Sequence, residues 1–448
     1  MKDLTVGRPG RVLLGYTLPL FGSIIFQQLY NIADSFVAGQ YIGTAALAAV
    51  GNSYEITLIY IALAFGCNVG ASVVSARFFG QKDYDSVRTC VNTSLIFAAA
   101  LGIVLTAVGV LAAGWLLQAI NTPPELLQDS KDYLDIYIFS YIFVILYQVA
   151  TGLFSALGDS RTLFWFLAVS SVVNIFVDIV FVRDLHLGVK GVAYATFLCQ
   201  SVSGVLAVAV LLRKVSRHGG RGRIYDGRML LKILRIAAPS AVQQSCISVG
   251  NILIQSVING FGTAATGGYA AAVKLNNMTI TSITALGSGV SNYASQNLGG
   301  GKYNRIRQGA KSGILLGIGF ALAFTTVYQL FCQPLLGLFI TGGSTAEELA
   351  VSSEAMRIGT LFLRIVSPFY AMIAIKLITD GILRGTSMMT QFMISTMTDL
   401  VLRVVLAYAL SPLLGISGVW MSWPIGWGFG VVMSWQFYYR WQKKQPMQ

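Results

Sequence analysis

The sequence predicts an all-α integral membrane protein whose twelve transmembrane helices form two pseudo-symmetric six-helix lobes. Three observations carry that prediction. Of the 448 residues, 55% are hydrophobic and only 11% are charged, a balance outside that of ordinary soluble domains. The apolar residues gather into about twelve segments of membrane-spanning length. The second half of the chain repeats landmarks of the first in the same order.

The segments lie near 13–40, 46–76, 90–118, 133–156, 161–183, 188–212, 233–260, 265–296, 312–340, 357–382, 388–411 and 415–439. Basic residues collect before the first (Lys2, Arg8, Arg11), after the second (Arg77, Lys82, Arg88), after the sixth, after the eighth (Lys302, Arg305, Arg307, Lys311) and at the end (Arg440, Lys443, Lys444). With twelve crossings all of these share one side. The opposite connections, such as Glu125 to Asp132 and Glu347 to Glu354, are read as acidic or uncharged loops. The positive-inside rule then places both termini in the cytoplasm of a multi-pass protein of the inner (plasma) membrane. The net charge of +13 is thereby a topology signal, and no nucleic-acid partner is expected. Met1 to Arg11 is polar and basic, and the first apolar segment is too long for a cleavable leader. Cys67, Cys90, Cys199, Cys246 and Cys332 show no paired spacing and read as small core hydrophobes.

Arg213 to Arg235 is the longest basic stretch, holds Gly219, Gly220 and Gly222, and divides the chain nearly in half. It reads as a flexible cytoplasmic linker. The expected organisation is a first lobe over 1–212, a linker over 213–232 and a second lobe over 233–448. Pro19 and Asn31 recur as Pro239 and Asn251, and Gly43 to Ala46 as Gly262 to Ala265. Gly80 to Tyr84 recurs as Gly299 to Tyr303, and Gly188 to Val192 as Gly415 to Val419. Six crossings per half is an even number, so the halves run the same way through the membrane. Transporters with parallel repeats place the substrate route between them.

The polar residues inside apolar segments point to chemistry. Asp34 stands in the first segment near Gln27, Tyr30 and Asn31, while Asn174 and Asp178 are four apart in the fifth and share a helical face. Thr196 lies in the sixth. At 1.5 Å per residue, Asp34 and Asp178 sit ~9 Å and ~8 Å before the outer ends of their segments, and Thr196 ~12 Å in from that side. Two carboxylates, an amide oxygen and a hydroxyl in one layer supply the hard oxygens that a sodium ion or a pair of protons would use, which makes Asp34, Asn174, Asp178 and Thr196 the candidate coupling residues and the possible sodium ligands. The competing reading is a buried structural hydrogen-bond network. The matching second-half positions are Ile254, Val405 and Trp423, so any intramembrane coupling belongs to the first half. Gln27, Tyr30, Asn31, Tyr137 and Gln148 read either as cavity lining or as ordinary packing. Pro19 removes a backbone hydrogen bond and marks a place where the first helix can bend.

Other intramembrane charges read as local pairs. Lys376 with Asp380, and Asp399 with Arg403, are each four apart, and Glu55 matches Lys274 across the repeat. There is no phosphate-binding Gly-x-x-x-x-Gly-Lys-Ser/Thr, and the two histidines, His186 and His218, fall in connections. ATP hydrolysis, a histidine metal site and an intramembrane nucleophile with its base are therefore not expected, nor is an enzyme.

The Pro19 to Gly43 stretch with its Asn-x-x-Asp, Gly70 to Tyr84 entering the first basic loop, Gly158-Asp159-Ser160-Arg161-Thr162 and the six-plus-six repeat together resemble the multidrug and toxic compound extrusion (MATE) transporters. The likeness covers essentially the whole chain. It implies two six-helix lobes around a central cavity, with small amphipathic, often cationic drugs exported in exchange for protons or sodium. Within the family the chain looks like the DinF-like branch, in which Asp34, Asn174, Asp178 and Thr196 match the first-lobe acids, Asn and Thr. Pro19 then matches the helix 1 proline that bends during the cycle, and Gln27 and Tyr30 the cavity residues. The expectation is a cofactor-free antiporter working as a monomer in the bilayer by alternating access, with H+ or Na+ as coupling ion. The alternative is a lipid-linked oligosaccharide or lipid flippase of similar architecture, which would want a wide cationic cavity; the first-lobe acids argue against it.

Overall fold

A computed structural model describes residues 2–37, 44–119, 122, 124–340 and 346–445. The side chains of 29–52, 54, 55, 119, 124, 125 and 346 also lie outside that description. Every regular element among the described residues is a helix: α1 (Pro9–Val37), α2 (Thr44–Gly80), α3 (Tyr84–Ala119), α4 (Pro124–Ala156), α5 (Ser160–Ile179), α6 (Gly188–Arg217), α7 (Gly227–Asn259), α8 (Thr263–Gly299), α9 (Tyr303–Leu336), α10 (Ala346–Val366), α11 (Tyr370–Gly385), α12 (Met389–Leu414) and α13 (Ile416–Lys443). Ten segments among the described residues are long and apolar enough to cross a membrane, one of them formed by α10 and α11 in series. Helices α8 and α13, 37 and 28 residues long, have the length for two more. The twelve-helix architecture expected from hydropathy is the one observed.

The break between α10 and α11 has a simple cause. Pro368 lacks an N–H and its ring crowds the preceding turn, so the chain tightens into a 3₁₀ turn at Ser367–Phe369. The Arg364 carbonyl, whose i+4 donor the proline removes, accepts from Gln329 Nε2 of α9 at 3.3 Å, and the Ser367 carbonyl accepts from both Tyr370 N and Thr325 Oγ1 of α9, the latter at 2.6 Å.

The chain forms two compact units. The first comprises Met1–Val6, Gly15–Ser245 and Ser295–Gly301; the second comprises Gly7–Leu14, Cys246–Ala294 and Lys302–Gln448. Apolar side chains of α2, α3, α4 and α6 fill the first core, where Tyr141 meets Tyr60 edge to face at 4.8 Å and donates its hydroxyl to the Tyr60 carbonyl. The second core is aromatic: Trp420 is fully buried, stacks on Tyr269 at 5.4 Å and meets the edge of Phe362.

The sequence repeat appears as repeated backbone conformation. Lys82 and Gly301, equivalent in the two halves, both turn with positive φ just before α3 and α9. Gly188, which opens α6, and Gly415, just before α13, also have positive φ, 58° and 60°. Pro19 and Pro239 both lie inside helices, α1 and α7.

Two sequence expectations change. Glu347 to Glu354 and Glu125 to Asp132 are not loops but the first turns of α10 and α4. In the first turn of α10, Glu347 and Glu348 lie at the positive end of the helix dipole, so acidity there extends the helix instead of ending it. The glycine-rich connection expected to be flexible is strapped along α3: Arg88 donates to Gly220 O at 2.8 Å, Thr89 Oγ1 accepts from Arg223 N at 3.0 Å, and Thr93 Oγ1 accepts from Asp226 N at 3.2 Å. A Cβ on Gly222 would stand 2.7 Å from Arg88 Cβ, Asp85 O and Thr89 N. Glycine here serves close backbone approach.

Candidate functional site

The start of α5 explains the Gly158 to Thr162 motif. Gly158 turns with φ 72° where any side chain would meet the Lys2 carbonyl, and Asp159 then caps α5 by accepting from the Thr162 amide and hydroxyl. Lys214 near the end of α6 donates to the same carboxylate and to Thr162 Oγ1. Burial alone would raise the Asp159 pKa, but the hydrogen bonds from Lys214 and Thr162 and the Lys214 charge hold it below its ordinary value.

A second contact fixes the register of the helix pair. Ser203 Oγ of α6 donates to Ser170 Oγ of α5 at 2.9 Å, eleven residues from the Asp159–Lys214 contact along each helix. The two contacts set an antiparallel register in which Thr196 is level with Val177 and Asp178. Asn174 lies one turn away on the same face as Asp178. All three side chains are buried: Asp178 is 0% exposed, Asn174 3% and Thr196 7%. Two residues past Asp178 the helix widens into a π-turn, Val180–Asp184, closed by Leu185 N donating to Val180 O. Such turns, frequent at functional sites, shift the following residues off the α register. Gly188, with positive φ, restarts the chain as α6.

Helix α1 packs on α5 through Gly22, where a Cβ would stand 2.8 Å from the Phe164 ring, and through Phe26, edge to face with Phe164 at 5.7 Å. The side chains of Tyr30, Asn31 and Asp34 lie outside the described residues. Pro19 lies within α1, its carbonyl accepting from Ser23 Oγ at 2.9 Å. Gln27 is exposed, whereas Tyr137 and Gln148 are half-buried. The Gln148 carbonyl accepts from Asn68 Nδ2 at 2.7 Å, and Asn68 also reaches Thr151 Oγ1. Asn68, Ser170 and Ser203 escaped the sequence reading, because single hydroxyls and amides in apolar segments carry no spacing signal. Among the described residues no group of three or more His, Cys, Asp or Glu side chains is placed to hold a metal. A monovalent cation would instead rely on the neutral oxygens of Asn174 and Thr196 beside a carboxylate.

The family model MatE matches residues 19–180 and 239–409, most of the chain and both halves of the repeat. The chain belongs to the MATE family. The probable multidrug resistance protein YoeA of Bacillus subtilis (strain 168) is 26% identical over 444 residues, covering 96% of this chain and 94% of the relative. The probable multidrug resistance protein YpnP of the same organism is 25% identical and covers 99% and 98%. A solved structure described as the outward-facing conformation of a multidrug resistance MATE family transporter superposes with a TM-score of 0.91 at 23% identity, covering 99% of this chain and 98% of that one. The protein is therefore a multi-pass membrane transporter and not an enzyme.

This MATE chain also carries a buried charge cluster in its second unit. Lys376 Nζ of α11 lies 2.9 Å from Asp380 Oδ2 and 3.5 Å from Asp399 Oδ2 of α12. Ser434 of α13 donates to Asp380 Oδ1 and is hydrogen-bonded to Ser395 of α12. Asp399 thus pairs across helices, and Arg403 turns away from the expected partner four residues back. Its guanidinium lies over the Trp423 ring at 4.7 Å and donates to Asn251 Oδ1 at 3.3 Å. Lys274 lies over the Phe339 ring; the Glu55 side chain falls outside the described residues.

Proposed function

We propose that this transporter exports small amphipathic, often cationic molecules from the cytoplasm across the inner membrane in exchange for H+ or Na+, by alternating access and as a monomer. Asp34, Asn174, Asp178 and Thr196 are the coupling set, and Gln27, Tyr30, Asn31, Tyr137 and Gln148 line the substrate cavity. Pro19 is the bend of helix α1. The termini are cytoplasmic, and the lobes are 1–212 and 233–448, joined by 213–232. The assignment of these residues to a first-lobe site follows the DinF-like branch.

The observation that carries this reading is the complete burial of Asp178 in a membrane helix, with Asn174 one turn away and the buried Thr196 within about one residue of its level on the neighbouring helix. An ionised carboxylate in such a place is costly, and a bound cation or proton removes the cost. Ionised, Asp34 and Asp178 favour a wet cavity able to hold substrate; neutralised from outside, they let it collapse and release the substrate. The ion drives the cycle because its affinity differs between the two forms. One positive charge moving inward is worth ~2.3 kcal/mol per 100 mV, enough for roughly a fiftyfold gradient of a neutral substrate. The multidrug names of the relatives and the outward-facing state of the superposed structure support the same reading. Dye efflux from proteoliposomes under separately imposed sodium and pH gradients tests it. Efflux driven by one gradient and blocked by Asp178→Asn is the expected result, and efflux indifferent to both gradients overturns it.

A further inference from the structure

Helices α5 and α6 line a groove of about 570 Å³, and the buried Asn174 and Asp178 are not part of its lining. Its walls are Trp165, Val169 and Val173 of α5 and Leu198, Val202 and Leu206 of α6, all exposed. The Ser170 and Ser203 hydroxyls on the lining are hydrogen-bonded to each other, leaving apolar surface as what the walls mainly offer. The lining runs from Arg161 to Val177 along α5, ~24 Å at 1.5 Å per residue. That exceeds the ~15 Å hydrocarbon depth of one leaflet.

One end of the groove is basic. Arg161, exposed, is part of the lining. The register fixed by Asp159–Lys214 and Ser170–Ser203 sets Arg161 level with Leu212 and Arg213. Arg213 and Arg217 fall on the same helical stripe as Leu206, at spacings of seven and eleven residues. The nearby carboxylate, Asp159, is engaged by Lys214 and Thr162. Among the described residues Arg161, Arg213 and Arg217 form no ion pair. Trp165, one turn from Arg161, is 65% exposed, and an indole in that position suits the boundary between acyl chains and headgroups.

We propose that this groove is a binding site for an anionic phospholipid. One acyl chain lies along Trp165, Val169, Val173 and Val202, and the phosphate is received by Arg161 and Arg213. The charge complementarity selects the headgroup, because each arginine near an anionic lipid contributes an attraction that a zwitterionic headgroup largely cancels. The end of the groove at Val177 reaches the level of Asp178, but the proposal does not depend on which ion drives transport.

Native mass spectrometry of the full chain in detergent tests the proposal. The protein is titrated with phosphatidylglycerol, with phosphatidylcholine of the same acyl chains, and with inorganic phosphate. The expected result is retention of phosphatidylglycerol over phosphatidylcholine by about fivefold per arginine, falling to parity in Arg161→Gln/Arg213→Gln. Val173→Trp keeps the arginines but fills the groove, and should lose both lipids. Equal retention of the two lipids by the parent, unchanged selectivity in the double variant, or full retention by Val173→Trp each overturns the proposal. Displacement of phosphatidylglycerol by inorganic phosphate would assign the basic end to a free anion and also overturn it. Both variants alter exposed side chains, so the unfolding temperature of each should match the parent and verifies that retention is compared between folded proteins.

Discussion

Lys376 on α11 reaches across to Asp399 on α12, with 3.5 Å between Nζ and Oδ2, while also pairing with Asp380 one turn along its own helix. Lys376 and Asp380 are almost completely buried, at 2% exposure each. A single ammonium thus balances two carboxylates from two helices, and the Ser434 and Ser395 hydroxyls tie α13 into the same knot. Breaking a buried pair on one side is far costlier than replacing it whole. Lys376→Met should therefore destabilise the protein by roughly 3 to 5 kcal/mol, seen as a lowered unfolding temperature in detergent. Lys376→Met/Asp380→Asn/Asp399→Asn should regain most of the loss. A single variant as stable as the parent would show that the cluster is not holding these helices.

The coupling proposal makes a separate demand on the first unit. Asp178→Asn and Asp34→Asn should each express and fold normally yet lower dye efflux from inverted vesicles by at least an order of magnitude, and Thr196→Ala should weaken the dependence on ion concentration. Either aspartate variant pumping as well as the parent would remove that residue from the coupling set.

Asp159 gives a pH-dependent prediction outside the membrane. Its folded pKa lies below the unfolded one, so its contribution is fully present above ~4, the ordinary aspartate range, and is lost as pH falls through the lower folded value. Asp159→Asn, which removes the charge toward Lys214, should cost about 1 to 2 kcal/mol. The difference between parent and variant in unfolding temperature should be constant from about pH 5 to 8 and shrink below ~4. A difference that grows on acidification would contradict this sign.

The strap between α6 and α7 offers a fourth test. Gly222→Ala places a Cβ against the α3 backbone where nothing can give way, whereas Gly227→Ala meets nothing within 4 Å. Limited trypsin digestion should cut Gly222→Ala at Arg221 or Arg223 several times faster than the parent, and leave Gly227→Ala unchanged. Equal rates in both would mean the strap is not held by close approach.

Hydropathy and basic-residue placement read the twelve crossings directly, because a membrane span must satisfy its own backbone and therefore advertises itself as a long apolar run. Helical spacing alone placed Asn174 beside Asp178 and Lys376 beside Asp380, since pairs four apart meet on any helix. The repeat was equally legible, down to the paired turns at Lys82 and Gly301. The acidic turn at Glu347 is not legible as helix, because carboxylates look like loop until a helix dipole is there to receive them.

What the sequence by itself determined was thus everything set along one helix: how many spans, which faces are polar, where the chain turns. Partners on different helices were decided by the tertiary structure. Nothing in the spacing says that Lys376 meets Asp399 or that Arg403 prefers Trp423. The layer shared by Thr196 and Asp178 follows from helical rise alone, but only the α5–α6 register sets Arg213 level with Arg161, and only packing against α3 shows that Gly222 serves contact rather than freedom. The reason is geometric: intrahelical distances follow from a fixed rise and turn, whereas interhelical register is chosen by side chains far apart in the chain.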